Sequence, residues 1–151
     1  MPSCTFFGHR DCPDSLKQSI RAVIIDLITS YGVDMFYVGH QGGFDGLVRG
    51  VLREITQECL WVHYSVVLAY MPSEHSVMSD TPDTMLPEGI ELVHPRHAIS
   101  WRNNWMLQKS DFVVAYMAHS WGGAAQYVRK AVRSGKTVIN LYHSQEGGHA
   151  S

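Results

Sequence analysis

The sequence predicts an α/β fold, a three-layer sandwich with a mainly parallel sheet, on the basis of three observations. Short apolar segments alternate along the chain with segments whose apolar residues recur at helical spacing. Two of the short segments, residues 64–70 (YSVVLAY) and 111–117 (DFVVAYM), are almost continuously apolar, as strands buried on both faces are. Glycines follow several of these segments, where a strand is expected to turn into a helix. Such alternation is typical of parallel strands joined by right-handed crossovers, with helices on both faces of the sheet.

The first predicted strand is residues 3–8, a short apolar and aromatic segment that ends in glycine. A helix is expected to begin near Ser15, because Ser15 and Gln18 fit a capping box, and to end at Gly32. The second strand is expected at residues 34–39. A glycine-rich loop follows this strand, and a second helix is expected after the loop. The apolar residues of that helix share one face: Leu47, Val48, Val51, Leu52 and Ile55.

The second half of the chain begins with the third strand, residues 64–70. The polar, proline-containing residues 71–88 are interpreted as a long loop, a kind of segment that often forms a lid or a binding loop. A short fourth strand is compatible with residues 89–93. The remaining elements alternate as helix, strand, helix and strand, at residues 96–109, 111–117, 124–134 and 137–142.

Length and composition favour one domain that spans residues 1–151. Hydrophobic residues make up 45% of the chain and charged residues 17%, and this small charged fraction is compatible with a homodimer. The net charge of −2 argues against a nucleic-acid partner, because nucleic-acid binders usually carry a basic stripe.

The cysteine content indicates reduced thiols. Cys4, Cys12 and Cys59 are odd in number and form no C-x-x-C pattern, which argues against both a disulfide framework and a zinc site. No segment reaches the ~18 apolar residues that a membrane span needs, and the N-terminus lacks the pattern of a secretory signal. We therefore expect a cytoplasmic protein without a membrane partner.

Three loops that follow predicted strands carry unusual residues. They are Gly8-His9-Arg10, residues 39–46 and residues 119–123. Because the carboxyl ends of parallel strands lie at one edge of a sheet, where such folds bind ligands, we expect these loops to converge. Arg10 either makes bidentate bonds to a phosphate or forms a surface ion pair with a neighbouring aspartate.

The loop before the second helix is rich in glycine. Gly42 and Gly43 would let the backbone approach a ligand closely, and free N–H groups at the start of a helix favour an anion. The alternative is a tight strand-to-helix turn that binds nothing. The loop lacks both the G-x-G-x-x-G pattern and the lysine of a phosphate loop. Asp45 would repel a phosphate, so we expect it either to cap the helix or to accept hydrogen bonds from ribose hydroxyls.

Gly122 and Gly123 repeat the arrangement of a strand, two glycines and a helix, which favours a functional role for both loops. Trp121 beside them either stacks on a base or packs at the rim of the sheet.

Two tryptophans flank three polar residues on the predicted helix at residues 96–109. Trp101 and Trp105 share one face of it and are expected to pack in the core. Arg102 and Asn103 project elsewhere, toward solvent or toward a ligand.

His94 and His97 are three residues apart, a spacing compatible with a pair of metal ligands. Pro95 between them instead favours the start of a helix. No third or fourth ligand is suitably spaced, so we expect no metal and no other cofactor.

Four segments occur along the chain in a recognisable order: FFGHR, GGFD, RNNWMLQKSD and GGAAQYVRKA, at residues 6–10, 42–45, 102–111 and 122–131. They resemble motifs of the YpsA-like branch of the SLOG superfamily. These are a strand with G-H-R, a glycine loop after the second strand, an R-N-x-x-M-[VL]-x-x-S-D segment and a G-G-T-x-x-x-V-x-x-A helix start. Each motif is loose, but the four agree in order and spacing over roughly residues 4–142.

This resemblance implies a Rossmann-like fold with a pocket for a nucleotide-type ligand. SLOG members include LOG phosphoribohydrolases that release cytokinin-type bases, DNA-binding recombination mediators such as DprA, and sensor domains for NAD-derived signals. The phosphoribohydrolases use P-G-G-x-G-T-x-x-E, in which the Glu acts in catalysis. Here Arg129 stands at the position of that Glu, and Ala125-Gln126 replaces the Gly-Thr pair, which argues against this hydrolase activity.

The leading hypothesis is a module that binds a nucleotide or a nucleotide-derived, ADP-ribose-like ligand, either as a sensor or to sequester the signal. The predicted ligand-binding residues are Gly8, His9, Arg10, Gly42, Gly43, Asp45, Arg102, Asn103, Trp121, Gly122 and Gly123. The alternative is an enzyme that cleaves an N-glycosidic or phosphoester bond of a nucleotide, with Asp45, His9 or His119 as general acid or base. A scaffold protein with a vestigial pocket is a third possibility.

Overall fold

A computed structural model describes residues 2–70 and 83–142 of the chain. The strands of this part are β1 (Ser3–Gly8), β2 (Met35–Val38), β3 (His63–Val67), β4 (Thr84–Met85), β5 (Phe112–Tyr116) and β6 (Thr137–Asn140). The helices are α1 (Leu16–Tyr31), α2 (Gly42–Glu58), α3 (Ala98–Lys109) and α4 (Gly123–Arg133). None of these helices combines the length and hydropathy that a membrane span requires.

The strands form one sheet in the order β4-β3-β2-β1-β5-β6, and every pairing is parallel. β1 lies at the centre, where Cys4 is in register with Phe36 of β2 and with Phe112 of β5. The chain moves outward from β1 in one direction through β2 and β3, and in the other through β5 and β6. The α/β, Rossmann-like fold class is thereby confirmed, and the order of the strands reverses between β1 and β5.

Alternating side chains of the strands build two cores, one on each face of the sheet. Phe6 packs in the cluster formed with α1 and α2, whereas Phe7 packs in the cluster formed with α3 and α4. Val66 and Val67 of β3 divide between the same two faces. This period of two explains why the strands are apolar at almost every position, and it produces the three layers.

The boundaries differ from the predictions at the edge of the sheet. The strand expected at residues 89–93 is wrong: Ile90–Leu92 is a turn of 3-10 helix, because Gly89 adopts a φ of 91° and reverses the chain. The strand that pairs with β3 at this edge is β4 (Thr84–Met85), which lies inside the predicted long loop. The Leu68 N–H, just after β3, donates to the Met85 carbonyl. The question of a lid falls largely on residues 71–82, outside the described residues.

Helix α1 begins and ends where predicted, but it lacks the predicted capping box. Gly32 has a left-handed φ of 68°, and its N–H donates to the carbonyl of Leu27. Ser15 precedes the first residue of the helix, but its side chain forms no capping hydrogen bond, because its backbone is already helical rather than extended. The predicted capping box of Ser15 and Gln18 is therefore absent.

Candidate functional site

A cavity of about 620 Å³ opens at the carboxyl edge of the sheet, between the loops that follow β1 and β5. This is the point where the strand order reverses, the usual ligand position in open parallel sheets. The volume lies within the range of small-molecule sites. Nine of the eleven predicted site residues line it: Gly8, His9, Arg10, Asp45, Arg102, Asn103, Trp121, Gly122 and Gly123.

Gly42 and Gly43 do not line the cavity. α2 begins at Gly42, so most of the expected glycine-rich loop is the first turn of this helix. The Gly43 N–H donates to the Arg10 carbonyl at 2.9 Å, and a Cβ on Gly43 would lie 2.6 Å from that oxygen. Gly42 combines a φ of 85° with similarly close contact to Arg10. These glycines let the loop after β1 pack directly on α2, which corresponds to the tight-turn alternative.

Asp45 belongs to the first turn of α2. Its Oδ2 accepts a hydrogen bond at 3.0 Å from the N–H of Gln41, the residue that precedes the helix. The residue is only 9% exposed, and this burial raises the pKa of the carboxyl to about 6, against the opposing effects of the Gln41 hydrogen bond, Arg102 and Arg49. Since Asp45 also lines the cavity, the carboxyl with this raised pKa lies at the cavity wall.

Arg102 occupies the deep side of the cavity and is 2% exposed. Its Nη1 donates to the carbonyl of Val67 at 2.8 Å, and its Nε donates to Asn103 Oδ1 at 2.8 Å. Burial lowers the pKa of the guanidinium, and Asp45 opposes this effect. Nη2 donates to no group within residues 2–70 and 83–142. A buried cation with an unused donor beside a cavity favours an anionic ligand.

Gly39, at the end of β2, allows this arrangement. A Cβ on Gly39 would lie 2.8 Å from Asp45 Oδ2 and 3.0 Å from Arg102 Nη1. The absence of a side chain therefore lets the carboxylate and the guanidinium approach the same point without a direct ion pair between them.

The positions of Arg102 and of its tryptophan neighbours match the expected pattern in part. Arg102 lines the cavity, one of the two directions expected for it, and the half-buried Trp105 packs against the core on the α3 and α4 face, whereas the half-buried Trp101 lies outside both core clusters. Trp105 packs edge-on against Tyr37 at 5.3 Å between ring centroids, and Trp101 covers the turn at Gly89. The face of α3 that meets the sheet carries Arg102 because the carbonyl of Val67 at the end of β3 requires a donor.

Arg10 lies at the rim of the cavity with an exposed side chain. It forms no ion pair with any carboxylate of residues 2–70 or 83–142. The surface ion pair considered as its alternative role is therefore absent from this part of the chain.

The N-terminus of α4 faces the cavity without a capping side chain. Gly122 is the N-cap residue, with a φ of 98°, and Gly123 and Ala124 begin the helix along the cavity wall. A Cβ on Gly123 would meet nothing within 4 Å, so packing does not require a glycine there. The first-turn N–H groups of an uncapped helix are an anion-binding element.

Three aromatic rings stack along one wall of the cavity, and we call this group the ring stack. His9 and His119 lie 3.7 Å apart with an interplanar angle of 17°, and His119 and Trp121 lie 3.7 Å apart at 15°. Nε2 of His9 accepts a hydrogen bond from the Ala118 N–H, and Nδ1 of His119 donates to the Trp121 carbonyl. Burial, with a smaller effect of His119, lowers the pKa of His9 and favours the neutral imidazole that this acceptor role requires.

Two further side chains hold the loop after β5. Asn140 accepts from the Met117 N–H and donates to the Met117 carbonyl, while Arg129 donates to the Ser120 carbonyl at 2.8 Å. Arg129 is the residue at the position of the catalytic Glu in the phosphoribohydrolase motif. In this chain it supports the loop and does not line the cavity.

Metal-ligating residues do not cluster within residues 2–70 and 83–142: no group of three or more histidine, cysteine or acidic side chains is arranged to hold an ion there. Nδ1 of His94 accepts from the Arg96 N–H at the start of a short 3-10 helix, Pro95–His97. His94 therefore has the helix-start role that was the alternative to a metal ligand.

The sequence analysis did not identify every residue that lines the cavity. Ile99 and Tyr127 line the cavity from α3 and α4, but each looked like an ordinary core residue in the sequence. Gln41 also lines it and lies in the loop that was singled out, so position alone could have identified it. His119 was considered only as an acid or base, and one of its two stacking partners, His9, lies on a distant part of the chain.

The sequence matches no protein-family model and no curated protein. The fold is similar to that of a solved structure, DNA processing protein A (DprA) from Streptococcus pneumoniae, with a TM-score of 0.71 and 16% sequence identity. The similarity covers 96% of this chain and 52% of that chain, so this chain spans about half the length of the DprA structure. The chain thus shares a Rossmann-like α/β fold with DprA.

Proposed function

We propose that this chain binds a nucleotide or a nucleotide-derived, ADP-ribose-like ligand in the cavity between β1 and β5. One observation carries the proposal: two anion-binding elements that have no partner within residues 2–70 and 83–142 lie beside the same cavity. They are the open first turn of α4 at Gly123 and the unused Nη2 of the buried Arg102. Each would be costly to leave unpaired in a closed site, and a phosphate group would satisfy either one.

The other cavity residues fit the remaining parts of such a ligand. Arg10 at the rim would neutralise a second phosphate, since its guanidinium has no ion-pair partner in the described residues. Asp45 would accept hydrogen bonds from ribose hydroxyls, with its Oδ2 already oriented by the Gln41 N–H. A protein of this kind would act as a sensor of the ligand or would sequester it.

Membership of the SLOG superfamily and its YpsA-like branch is part of this proposal. The four sequence motifs support the branch, and the fold shared with DprA supports the superfamily. A nucleic-acid ligand is the competing assignment, because the similar structure is a DNA processing protein. The net charge of −2 favours the small ligand.

A valine at position 123 tests the proposal directly. Titration calorimetry with AMP, ADP, ADP-ribose, NAD and a single-stranded oligonucleotide would measure binding to the wild type and to Gly123→Val. The new side chain enters the open space beside the first turn of α4, so we expect nucleotide affinity to fall roughly 10- to 100-fold, the loss of one or two charge-assisted hydrogen bonds.

Gly50→Val is the matched control. Gly50 is exposed in α2, and a Cβ there also meets nothing within 4 Å, so this variant should bind as the wild type does. Equal nucleotide affinity in all three proteins would contradict the assignment of the phosphate position. Binding of the oligonucleotide alone would replace the proposal with the nucleic-acid assignment.

Asp45 favours a second candidate, an enzyme that cleaves an N-glycosidic or phosphoester bond of a nucleotide. A carboxyl that lines the cavity with a pKa of about 6 is suited to exchange a proton near neutral pH. Product formation from the same nucleotides by the wild type, and its loss in Asp45→Asn, would support the enzyme. Stable binding without product in either protein would support the binding module.

A further inference from the structure

We propose that the ring stack of His9, His119 and Trp121 is a preformed platform for a heteroaromatic base, so that the site selects base-bearing nucleotides over base-free sugar phosphates. The inference rests on the proposed function and adds the feature of the ligand that the site recognises. It follows from the geometry of the three rings and from the way the loop after β5 is held.

The outer ring of the stack has an open face. His119 covers one face of Trp121 at 3.7 Å, yet Trp121 is 70% exposed and lines the cavity. Among residues 2–70 and 83–142, no core cluster includes this large aromatic ring. The neighbouring Gly122 and Gly123 also line the cavity, so a ligand whose phosphate lies at α4 would carry its other end past the indole.

The platform is held in place from four directions. The imidazole of His119 anchors the Trp121 carbonyl, and His9 anchors the Ala118 N–H from the loop after β1. Arg129 of α4 and Asn140 of β6 fix the intervening backbone. A ring that is already oriented loses little conformational freedom when a base stacks on it, so more of the stacking energy contributes to affinity.

Stacking recognises the presence of a base and not its identity, because every base has a π-face. The platform is therefore expected to accept purines and pyrimidines. His119 acts here as a positioning residue: it supports the buried face of the indole and holds the carbonyl of the same residue. Its removal should reduce the preference for a base.

The test compares ligands that differ only in the base. Calorimetry with the full chain would give dissociation constants for AMP, GMP, CMP, UMP and ribose 5-phosphate. We expect the wild type to bind the nucleotides roughly 5- to 150-fold more tightly than ribose 5-phosphate, the range of one base–aromatic stack. Trp121→Ala should bring this ratio close to one.

Trp61→Ala is the matched control, since Trp61 is 52% exposed and does not line the cavity. It should keep the ratio of the wild type. His119→Ala should lower the ratio in the same direction as Trp121→Ala, and an unchanged ratio would overturn its positioning role.

The outcomes separate this inference from the proposed function. Equal affinity of the wild type for nucleotides and ribose 5-phosphate would overturn the base platform and leave the phosphate site standing. Absence of binding for all five probes would overturn the platform as well. Binding of ADP-ribose would then show whether the proposed function survives without it.

Discussion

The imidazole rings of His9 and His119 stack at 3.7 Å across the point where the strand order of the sheet reverses. His9 follows β1 and His119 follows β5, so this contact joins the two halves of the fold at the edge where the cavity opens. The neutral state of His9 is part of the contact, because its Nε2 accepts the Ala118 N–H.

The stability of the protein should therefore depend on the protonation of His9. The pKa of His9 is lowered from its ordinary value of 6.5, so the unfolded chain takes up this proton at a higher pH than the folded protein. The neutral His9 therefore contributes to the free energy of unfolding above pH 6.5, and this contribution is lost as the pH falls below 6.5. His9→Phe, which keeps a ring in the stack, should lose less stability than the wild type between about pH 7 and pH 5 in urea denaturation. Parallel pH profiles of the two proteins would contradict this.

Asp45 should have the opposite pH dependence. Its pKa is raised from 3.8 to about 6, so the folded protein holds this proton more tightly than the unfolded chain. Stability is lost as the pH rises from about 4 to 6, by up to roughly 3 kcal/mol. Asp45→Asn keeps an oxygen for the Gln41 N–H and removes the ionisation. The free energy of unfolding of Asp45→Asn, measured relative to that of the wild type, should increase between pH 4 and pH 7.5. A difference between the two proteins that does not change with pH would contradict this prediction.

The glycine at position 43 should be required for packing. Gly43→Ala places a Cβ 2.6 Å from the Arg10 carbonyl, and the backbone of the loop after β1 must move. We expect a loss of about 1–3 kcal/mol in chemical denaturation. Gly50→Ala is the control on the exposed side of the same helix and should stabilise by up to about 1 kcal/mol, since alanine favours a helix over glycine. Equal effects of the two substitutions would refute the packing role.

Arg102 should not tolerate a lysine. A single ammonium cannot reach the Val67 carbonyl and Asn103 together and still leave a donor facing the cavity. Arg102→Lys should lose about 1–3 kcal/mol of stability and should bind nucleotides roughly tenfold more weakly by calorimetry. Arg133→Lys, at an exposed position near the end of α4, is the control. If Arg102→Lys bound nucleotides as tightly as the wild type does, Arg102 would not be part of the proposed site.

Sequence patterns within short segments were sufficient to predict most of the fold. The long strands and the four helices follow from periodicity, because each is stabilised by a face of its own residues, as Phe6 and Phe7 of β1 show. β4 was missed because two residues carry no periodicity, and it exists only through its pairing with β3. The prediction that the loops after the strands converge at one edge required only that the sheet be parallel.

The inner details of the site depend on contacts that no local pattern contains. The burial of Arg102 depends on a carbonyl at the end of β3, which only the assembled sheet brings to α3. Gly42 and Gly43 suggested a ligand contact, whereas a Cβ on either would lie closest to Arg10: to its side chain from Gly42 and to its carbonyl oxygen from Gly43. The stack of His9 on His119 requires the exact separation of two loops from opposite ends of the chain.

The most direct test of the central claim is a thermal denaturation of the wild-type protein with AMP, ADP, ADP-ribose and NAD. A ligand at 100 times its dissociation constant adds about 2.7 kcal/mol to the stability of the folded state, which raises Tm by roughly 5–10 °C for a domain of this size. The proposed function predicts such a shift with at least one nucleotide, and its absence in Gly123→Val. No shift with any of the four at millimolar concentration would contradict a nucleotide site between β1 and β5.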